Sequence, residues 1–165
     1  MGVGTRTLHG HCLCGAVGFT LEPPLREIIV CHCSRCRRWS GHVWACTAVP
    51  MDRFKFDRGQ AGVHWFQESE RISRGSCRNC GTALFFRPSD LSRMSVSAGS
   101  LDLPTGLTQA AHIFVADKGD YYETPQDAPC YAQSDAELSM RLAKAAGIDS
   151  WSSYFDPADL AKQLE

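Results

Sequence analysis

The stretch Cys77-Arg78-Asn79-Cys80-Gly81 decides how distant parts of this chain come together. Two cysteines on one tight turn can bind a single metal ion, and Gly81 relieves backbone strain as the chain leaves the turn. A structural zinc site needs four ligands, so the turn needs two more. Cys12 and Cys14, which also precede a glycine, are the simplest donors.

A third cluster, Cys31-His32-Cys33-Ser34-Arg35-Cys36, can present three sulfurs to one side of a loop. Catalytic zinc sites have three protein ligands and one open position. Seven clustered cysteines therefore divide naturally into four and three, which predicts two zinc ions per chain. The other two cysteines are isolated, with Cys46 expected to be a buried apolar residue and Cys130 an incidental thiol.

Spacing alone leaves other assignments open. A single site could use two cysteines from each of the later clusters, namely Cys31, Cys33, Cys77 and Cys80. His32 or His42 could close the three-cysteine site as a fourth ligand and make it purely structural. Redox-active dithiols are a further alternative, but no βαβ pattern surrounds these cysteines.

Composition narrows the class of protein. The chain has 165 residues, 44% of them hydrophobic, which suffices for one domain with a packed core. Nine cysteines indicate a disulfide framework in a secreted protein, but metal binding in a reducing compartment. The start of the sequence has no hydrophobic signal region and no apolar run approaches the length of a membrane span, so we expect a cytoplasmic protein.

The net charge of −1 argues against a nucleic-acid or anionic-membrane partner, because such binding needs a basic face. The expected partner is a small molecule.

Between residues 10 and about 122 the sequence reads as many short strands, with turn residues every 8–15 positions. This pattern predicts a mainly β domain over residues 1–130. Residues 131–165 read as a helical C-terminal tail. A first helix is expected to begin near Ser134-Asp135 and to stop at Gly147, and a second short helix near Asp156-Pro157. The tail would either cover an apolar patch of the sheet or form one wall of a substrate pocket.

Three motifs carry a resemblance to a known family. They are Gly10–Val17, Cys31–Arg37 with Gly41 following, and Cys77–Thr82. In order and spacing they resemble the glutathione-dependent formaldehyde-activating enzyme family, which also contains centromere protein V. Two later stretches fit as well, Ala98–Asp102 and His112–Val115 with Lys118 after it. The resemblance covers about residues 10–122, and Tyr121-Tyr122 stands where the family usually has a tryptophan.

The resemblance implies a β-tent fold of several small antiparallel sheets around a structural zinc. It implies that this zinc is bound by Cys12, Cys14, Cys77 and Cys80. It also implies a catalytic zinc on Cys31, Cys33 and Cys36. The implied reaction joins glutathione to formaldehyde as S-hydroxymethylglutathione, which is carbon–sulfur lyase chemistry on a thiol substrate.

The residues are compatible with that chemistry. Three thiolates on a zinc ion leave a net charge of about −1, which favours exchange of thiols over activation of water. Three arginines beside the cluster could bind ligand carboxylates: Arg35, Arg37 and Arg38. His42 and His64 are candidate acid–base groups, and Asp102 is expected to cap a turn.

Two alternatives remain at this stage. A related enzyme of the same fold could act on a different small substrate. A non-catalytic, zinc-stapled binding module is the other reading, although the sequence has no basic stretch or disordered arm to favour it.

Overall fold

The structure of the protein is a computed structural model that describes residues 4–148. Its strands are Leu8–His11 (β1), Gly18–Leu21 (β2), Ile28–Cys31 (β3), Trp44–Pro50 (β4), Phe54–Arg58 (β5), Val63–Ser69 (β6), Ile72–Cys77 (β7), Ala83–Pro88 (β8), Arg93–Ser97 (β9) and Gln109–Ile113 (β10). Its helices are Ser34–Ser40 (α1) and Ala136–Ala145 (α2). The prediction of a mainly β fold with a short C-terminal helix is confirmed.

The strands in this part of the chain form two sheets. The smaller has the order β1-β2-β5, and the larger has the order β10-β3-β4-β9-β8-β7-β6. All pairs are antiparallel except β10 with β3, which run parallel. The parallel pair is possible because a long connection separates β3 from β10, as parallel neighbours require.

A phenylalanine core joins the two sheets. Phe19 of β2 and Phe85 of β8 are fully buried, with ring centroids 5.2 Å apart in an edge-to-face arrangement. Phe54 of β5 packs edge-on against the same Phe85 ring at 5.4 Å. Aromatic pairs in this geometry add to the stabilisation from buried area alone.

A second core cluster surrounds the three-cysteine segment. Helix α2 packs into it through Leu138 and Leu142, one turn apart, whereas Met140 is 57% exposed. The helix begins one residue later than the sequence pattern indicates, because the Asp135 carboxylate accepts the cap hydrogen bond from the Leu138 N–H at 2.7 Å. Gly147, the predicted stop, has φ +67°.

The expected helix at Asp156-Pro157 lies outside the described residues. Backbone hydrogen bonds join the start of the tail to the segment after β10, as from Val115 N–H to the Tyr131 carbonyl at 3.1 Å. A domain division at residue 130 stays a prediction. Within residues 4–148, neither helix has the length and apolar character needed to span a membrane.

Candidate functional site

Four cysteine sulfurs from two distant turns meet beside the smaller sheet. The Sγ atoms of Cys12, Cys14, Cys77 and Cys80 all lie within 4.8 Å of one another. Each pair sits on a turn closed by a backbone hydrogen bond, from Gly15 to Cys12 at 2.9 Å and from Gly81 to Cys77 at 2.8 Å. Both glycines have positive φ, +74° and +75°, which explains why each pair is followed by a glycine.

Neighbouring donors stabilise negative charge on these sulfurs. The Val17 N–H donates to Cys12 Sγ at 3.2 Å and the Asn79 amide donates to Cys14 Sγ at 3.2 Å. The Asn79 bond lowers the pKa of Cys14, and the Thr82 hydroxyl, 3.1 Å from Cys80 Sγ, lowers the pKa of Cys80 to about 5. Burial raises the pKa of Cys77 to about 11. Polar groups around the cluster therefore contact three of its four sulfurs.

The second cluster lies where β3 runs into α1. Cys31 ends the strand, Cys33 is the N-cap of the helix, and Cys36 lies in its first turn. Their sulfurs lie within 4.8 Å of one another, and the three residues are only 5%, 6% and 5% exposed. A strand end followed at once by a short helix therefore brings three sulfurs together within six residues.

Contacts within this cluster shift the pKa values of the three thiols in different directions. Hydrogen bonds from Cys31 and Cys36 lower the pKa of Cys33 to about 2. The hydrogen bond to Cys33 raises the pKa of Cys31. A hydrogen bond with Cys31 lowers the pKa of Cys36, but the Cys33 thiolate and burial outweigh it and raise that pKa to about 12. Of the three thiols, Cys33 therefore gives up its proton most readily.

Arg74 of β7 is a buried cation in contact with this three-cysteine cluster. Its Nη1 lies 3.7 Å from Cys36 Sγ, and its Nε donates to the carboxylate of Glu68. The guanidinium also lies over the rings of Trp39 and Phe86, 5.0 and 5.4 Å from their centroids. Burial lowers the pKa of Arg74, but the negative charges of Cys36 and Glu68 outweigh burial and raise it.

The donor geometry fits zinc. With a zinc–sulfur bond of about 2.3 Å, tetrahedral ligands lie about 3.8 Å apart. The Cys12–Cys14 and Cys14–Cys77 sulfur separations are 3.5 and 3.8 Å. Each cluster could hold a metal ion, and the structure does not form the alternative grouping of Cys31 and Cys33 with the Cys77 turn. That these seven cysteines bind zinc stays a prediction.

Neither histidine considered as a fourth ligand joins the three sulfurs. The His32 ring is buried on the other side, with Nε2 2.8 Å from His112 Nδ1 and Nδ1 2.9 Å from the Tyr122 hydroxyl. Burial lowers its pKa to about 4, so the ring is neutral at pH 7. His42 is exposed and packs against Tyr122, with ring centroids 4.7 Å apart.

A small cavity of about 50 Å³ lies against the three-cysteine cluster. Cys31 and Cys36 form part of its wall, and Ser134 and Ser139 of the C-terminal tail form another part. The described part of the tail is therefore one wall of a pocket. Three buried arginines complete the polar lining: Arg26, Arg74 and Arg93.

The three arginines predicted to bind a substrate lie elsewhere. Arg35 and Arg38 line a second cavity of about 300 Å³ together with Glu68 and Arg74. The Arg35 Nη1 atom lies 3.1 Å from the Glu68 carboxylate. Arg37 donates through Nε to the carbonyls of His32 and Asp117, each at 3.2 Å, and so fixes α1 to the segment after β10.

The remaining candidates are distributed over the molecule. His64 is exposed on β6, and Asp102 faces His11 with an O–N distance of 3.3 Å. Cys130 is exposed, and Cys46 is buried with its sulfur 3.1 Å from the Arg26 guanidinium. Neither His42 nor His64 belongs to the cavity wall.

Sequence reasoning missed the arginines around the cavity because they are far from the cysteines along the chain. Arg26 precedes β3, Arg74 lies in β7 and Arg93 begins β9. The one available indication was their position in or beside strand segments, where a buried arginine is unusual. Only the order of the strands shows that they face one cavity.

Comparison with known proteins places this site in a family. The sequence model of the glutathione-dependent formaldehyde-activating enzyme family matches residues 7–117. An uncharacterized lyase of Schizosaccharomyces pombe is 29% identical over 120 residues, which are 69% of this chain and 82% of the relative. A Phaeosphaeria nodorum protein, provisionally named a glutathione-dependent formaldehyde-activating enzyme, is 30% identical over 81 residues, 48% of this chain and 43% of that protein.

One solved structure is also similar. A Rhodobacter sphaeroides protein has 22% sequence identity and a TM-score of 0.49, and the match covers 61% of this chain and 97% of that one. The family match itself spans both cysteine clusters and the strands between them. The chain therefore belongs to the glutathione-dependent formaldehyde-activating enzyme family.

Proposed function

We propose that the protein is a zinc-dependent carbon–sulfur lyase of the S-(hydroxymethyl)glutathione synthase type, with two zinc ions per chain. One observation carries the proposal. Three buried sulfurs lie within 4.8 Å of one another beside a cavity, and among residues 4–148 no histidine, carboxylate or further cysteine completes the set. Three protein ligands and one open position are typical of catalytic zinc.

Each part of the site has a role in this proposal. A zinc ion bound by three thiolates would hold a substrate thiol as thiolate at neutral pH. Cys31, Cys33 and Cys36 supply the ligand sulfurs, and Arg74 stabilises the negative charge of the cluster through Cys36. The surrounding core, including Trp44 and Phe86, keeps bulk water away from the sulfurs.

The proposed reaction forms one carbon–sulfur bond. The sulfur of glutathione attacks the carbonyl carbon of formaldehyde, the carbonyl π electrons move to oxygen, and that oxygen takes a proton. In the lyase direction the same bond breaks and the sulfur leaves. Arg35 and Arg38, which line the second cavity, are better placed than Arg37 to bind the carboxylates of glutathione. Arg37 already donates to two backbone carbonyls. We further propose that the protein works in the cytoplasm, where glutathione is abundant.

The test measures exchange between free glutathione and S-hydroxymethylglutathione by NMR. The zinc-loaded protein should accelerate exchange above the spontaneous rate. Cys33→Ser should abolish the acceleration, and Cys130→Ser, which removes an exposed sulfur that belongs to neither cluster, should keep it. An absence of acceleration by the zinc-loaded wild-type protein would overturn the proposal for glutathione.

A further inference from the structure

His32 lies between two cysteines of the three-cysteine cluster, and its backbone is bonded on both sides. The His32 N–H donates to the carbonyl of Ile113, the last residue of β10, at 3.0 Å. The His32 carbonyl accepts from Arg37 Nε at 3.2 Å, and the same Nε donates to the Asp117 carbonyl. These bonds attach the peptide groups between the cysteines to β10 and to the segment that follows it.

The His32 side chain is bonded at both ring nitrogens as well. Its Nε2 lies 2.8 Å from His112 Nδ1, and its Nδ1 lies 2.9 Å from the Tyr122 hydroxyl. His32 and His112 are only 2% and 5% exposed. Two directed bonds at different edges of an imidazole fix both the position and the rotation of the ring. All four polar groups of His32 thus have a protein partner.

Tyr122 is itself held in place by its surroundings. The Lys118 ammonium donates to the Tyr122 carbonyl at 2.8 Å, so the backbone that carries the ring is fixed. The ring packs against His32 and His42, with centroids 5.5 and 4.7 Å apart. The hydroxyl that reaches His32 therefore belongs to a side chain with a defined position.

The four-cysteine cluster contains the same Cys-x-Cys spacing without such an arrangement. Leu13 lies between the two cysteines of its first turn, the place that His32 has in the other cluster, and is 86% exposed. The spacing itself therefore does not require a fixed central side chain. Four sulfurs surround a metal completely, whereas three sulfurs with an open position form one bond fewer. The fixed side chain is found at the site with fewer ligands.

We propose that Tyr122 and His112 are positioning residues for the three-cysteine site. Through the His32 ring they keep Cys31 and Cys33 in place while the open position of the metal exchanges one ligand for another. The inference rests on the proposed function for a metal with an open position, and it adds two residues that belong to neither sulfur cluster. Residues that orient metal ligands from outside commonly change metal affinity.

The first experiment measures zinc release from the three-cysteine site of full-length, zinc-loaded protein into excess chelator. Tyr122→Phe keeps the ring but removes the hydroxyl. It should speed release about fivefold, the factor expected for one hydrogen bond, because a less constrained loop lets a sulfur leave the metal more easily. Tyr121→Phe is the matched control, because it removes the same group from the adjacent residue, which is 63% exposed. Its release rate should equal that of the wild type.

The second experiment adds a spectroscopic measurement and a rescue. Cobalt replaces the labile zinc, and its absorption bands report how the ligands are arranged around the metal. His112→Leu cannot bond to the His32 ring, so it should shift these bands and speed metal release. His112→Asn, whose amide can take the place of Nδ1, should restore the wild-type values. If His112→Leu does not fold, the cobalt bands and release rate of Tyr122→Phe decide.

The outcomes separate positioning from ordinary stabilisation and from the proposed function. Release rates and cobalt bands that are equal in Tyr122→Phe and Tyr121→Phe overturn the inference, whatever the change in unfolding free energy, and leave the lyase proposal standing. Faster release in Tyr122→Phe alone, in a protein that does not accelerate glutathione exchange, supports the positioning role and contradicts the lyase proposal. A wild-type protein that binds no metal at the three sulfurs overturns both.

Discussion

Arg74 connects the cysteine cluster to the rest of the protein through two contacts, one with Cys36 and one with Glu68. Its guanidinium contacts Cys36 on one side and the Glu68 carboxylate on the other, and the Glu68 side chain is only 10% exposed. A buried charge without its partner is strongly destabilising, whereas the intact pair adds little. Glu68 thus holds Arg74 in place without contacting the sulfurs.

We expect Glu68→Gln to lower the free energy of unfolding by about 3 kcal/mol, because it leaves a buried arginine with a weaker acceptor. Urea denaturation at neutral pH measures the change. Glu70→Gln, two residues further along the same edge and exposed, is the control and should change stability little. Equal stability of the two variants would show that the Arg74–Glu68 pair does not contribute to the free energy of unfolding.

At the residue scale, the cysteines could be predicted and the arginines could not. Cysteine spacing reports on local turns. The turn at Cys77–Cys80 is closed by backbone hydrogen bonds from Gly81 to Cys77 and from Cys77 to Thr82, which form within the turn itself. Arg26 and Arg93 reach the cavity wall only because of how their chain segments are placed in the sheet. The pattern beside the cysteines drew attention to Arg37, whose guanidinium instead donates to backbone carbonyls.

At the scale of single elements, α1 depends on a cysteine in an unusual place. Cys33 is the N-cap, and its sulfur accepts the Cys36 N–H at 3.4 Å. Serine is a better cap than cysteine and has nearly the same size, while alanine cannot cap at all. The same position thus serves the helix and the predicted second zinc.

This double role allows the two functions to be separated. Cys33→Ser should stay folded, with unchanged circular dichroism, but lose the second zinc and the activity. Cys33→Ala should lose the metal equally and about 1 kcal/mol of stability in addition. Urea denaturation of the two variants, with zinc analysis of both, is the measurement. Equal stability of the two would exclude the capping role.

Helix α2 contributes a wall of the cavity and part of the core. Leu142→Ala should lower the free energy of unfolding by about 3 kcal/mol, because Leu142 is 2% exposed and the deletion leaves a cavity. The exposed neighbour provides the control, since Met140→Ala removes a side chain that is 57% exposed. Thermal denaturation followed by circular dichroism compares them. Similar losses in both variants would mean that α2 does not pack as described.

Sequence patterns predicted the positions of helices and strands better than they predicted which strands pair. The strand and turn periodicity predicted a mainly β fold, and the cap residues placed α2 within one residue. The parallel pairing of β10 with β3 has no local signature, because both strands are short and their pairing depends on the whole sheet.

At the scale of the whole molecule, the two clusters should bind zinc with different consequences. Protein purified without chelators should contain close to two zinc ions per chain. Cys77→Ser should give unfolded or insoluble protein, because its cluster joins segments that are far apart in sequence and metal binding there contributes folding energy. Elemental analysis and circular dichroism test both statements. A folded Cys77→Ser protein with one zinc fewer would reverse the assignment.

Removal of the metals should occur in two phases. Limited chelator should take one zinc from the three-cysteine site through its open position, with little change in circular dichroism. The other zinc should leave only as the fold is lost. The three sulfurs are buried, so a chelator that reaches them must enter through the adjacent cavity. Release of both metals in one cooperative unfolding step would contradict the open-site proposal.

The two clusters also differ in when they can exist during synthesis. All three sulfurs of the second cluster have left the ribosome once residue 36 emerges, whereas the first cluster waits for Cys80. At about 5–20 residues per second that delay lasts a few seconds. The three-cysteine cluster of the nascent chain can therefore meet a metal ion before the other cluster joins the distant parts of the fold.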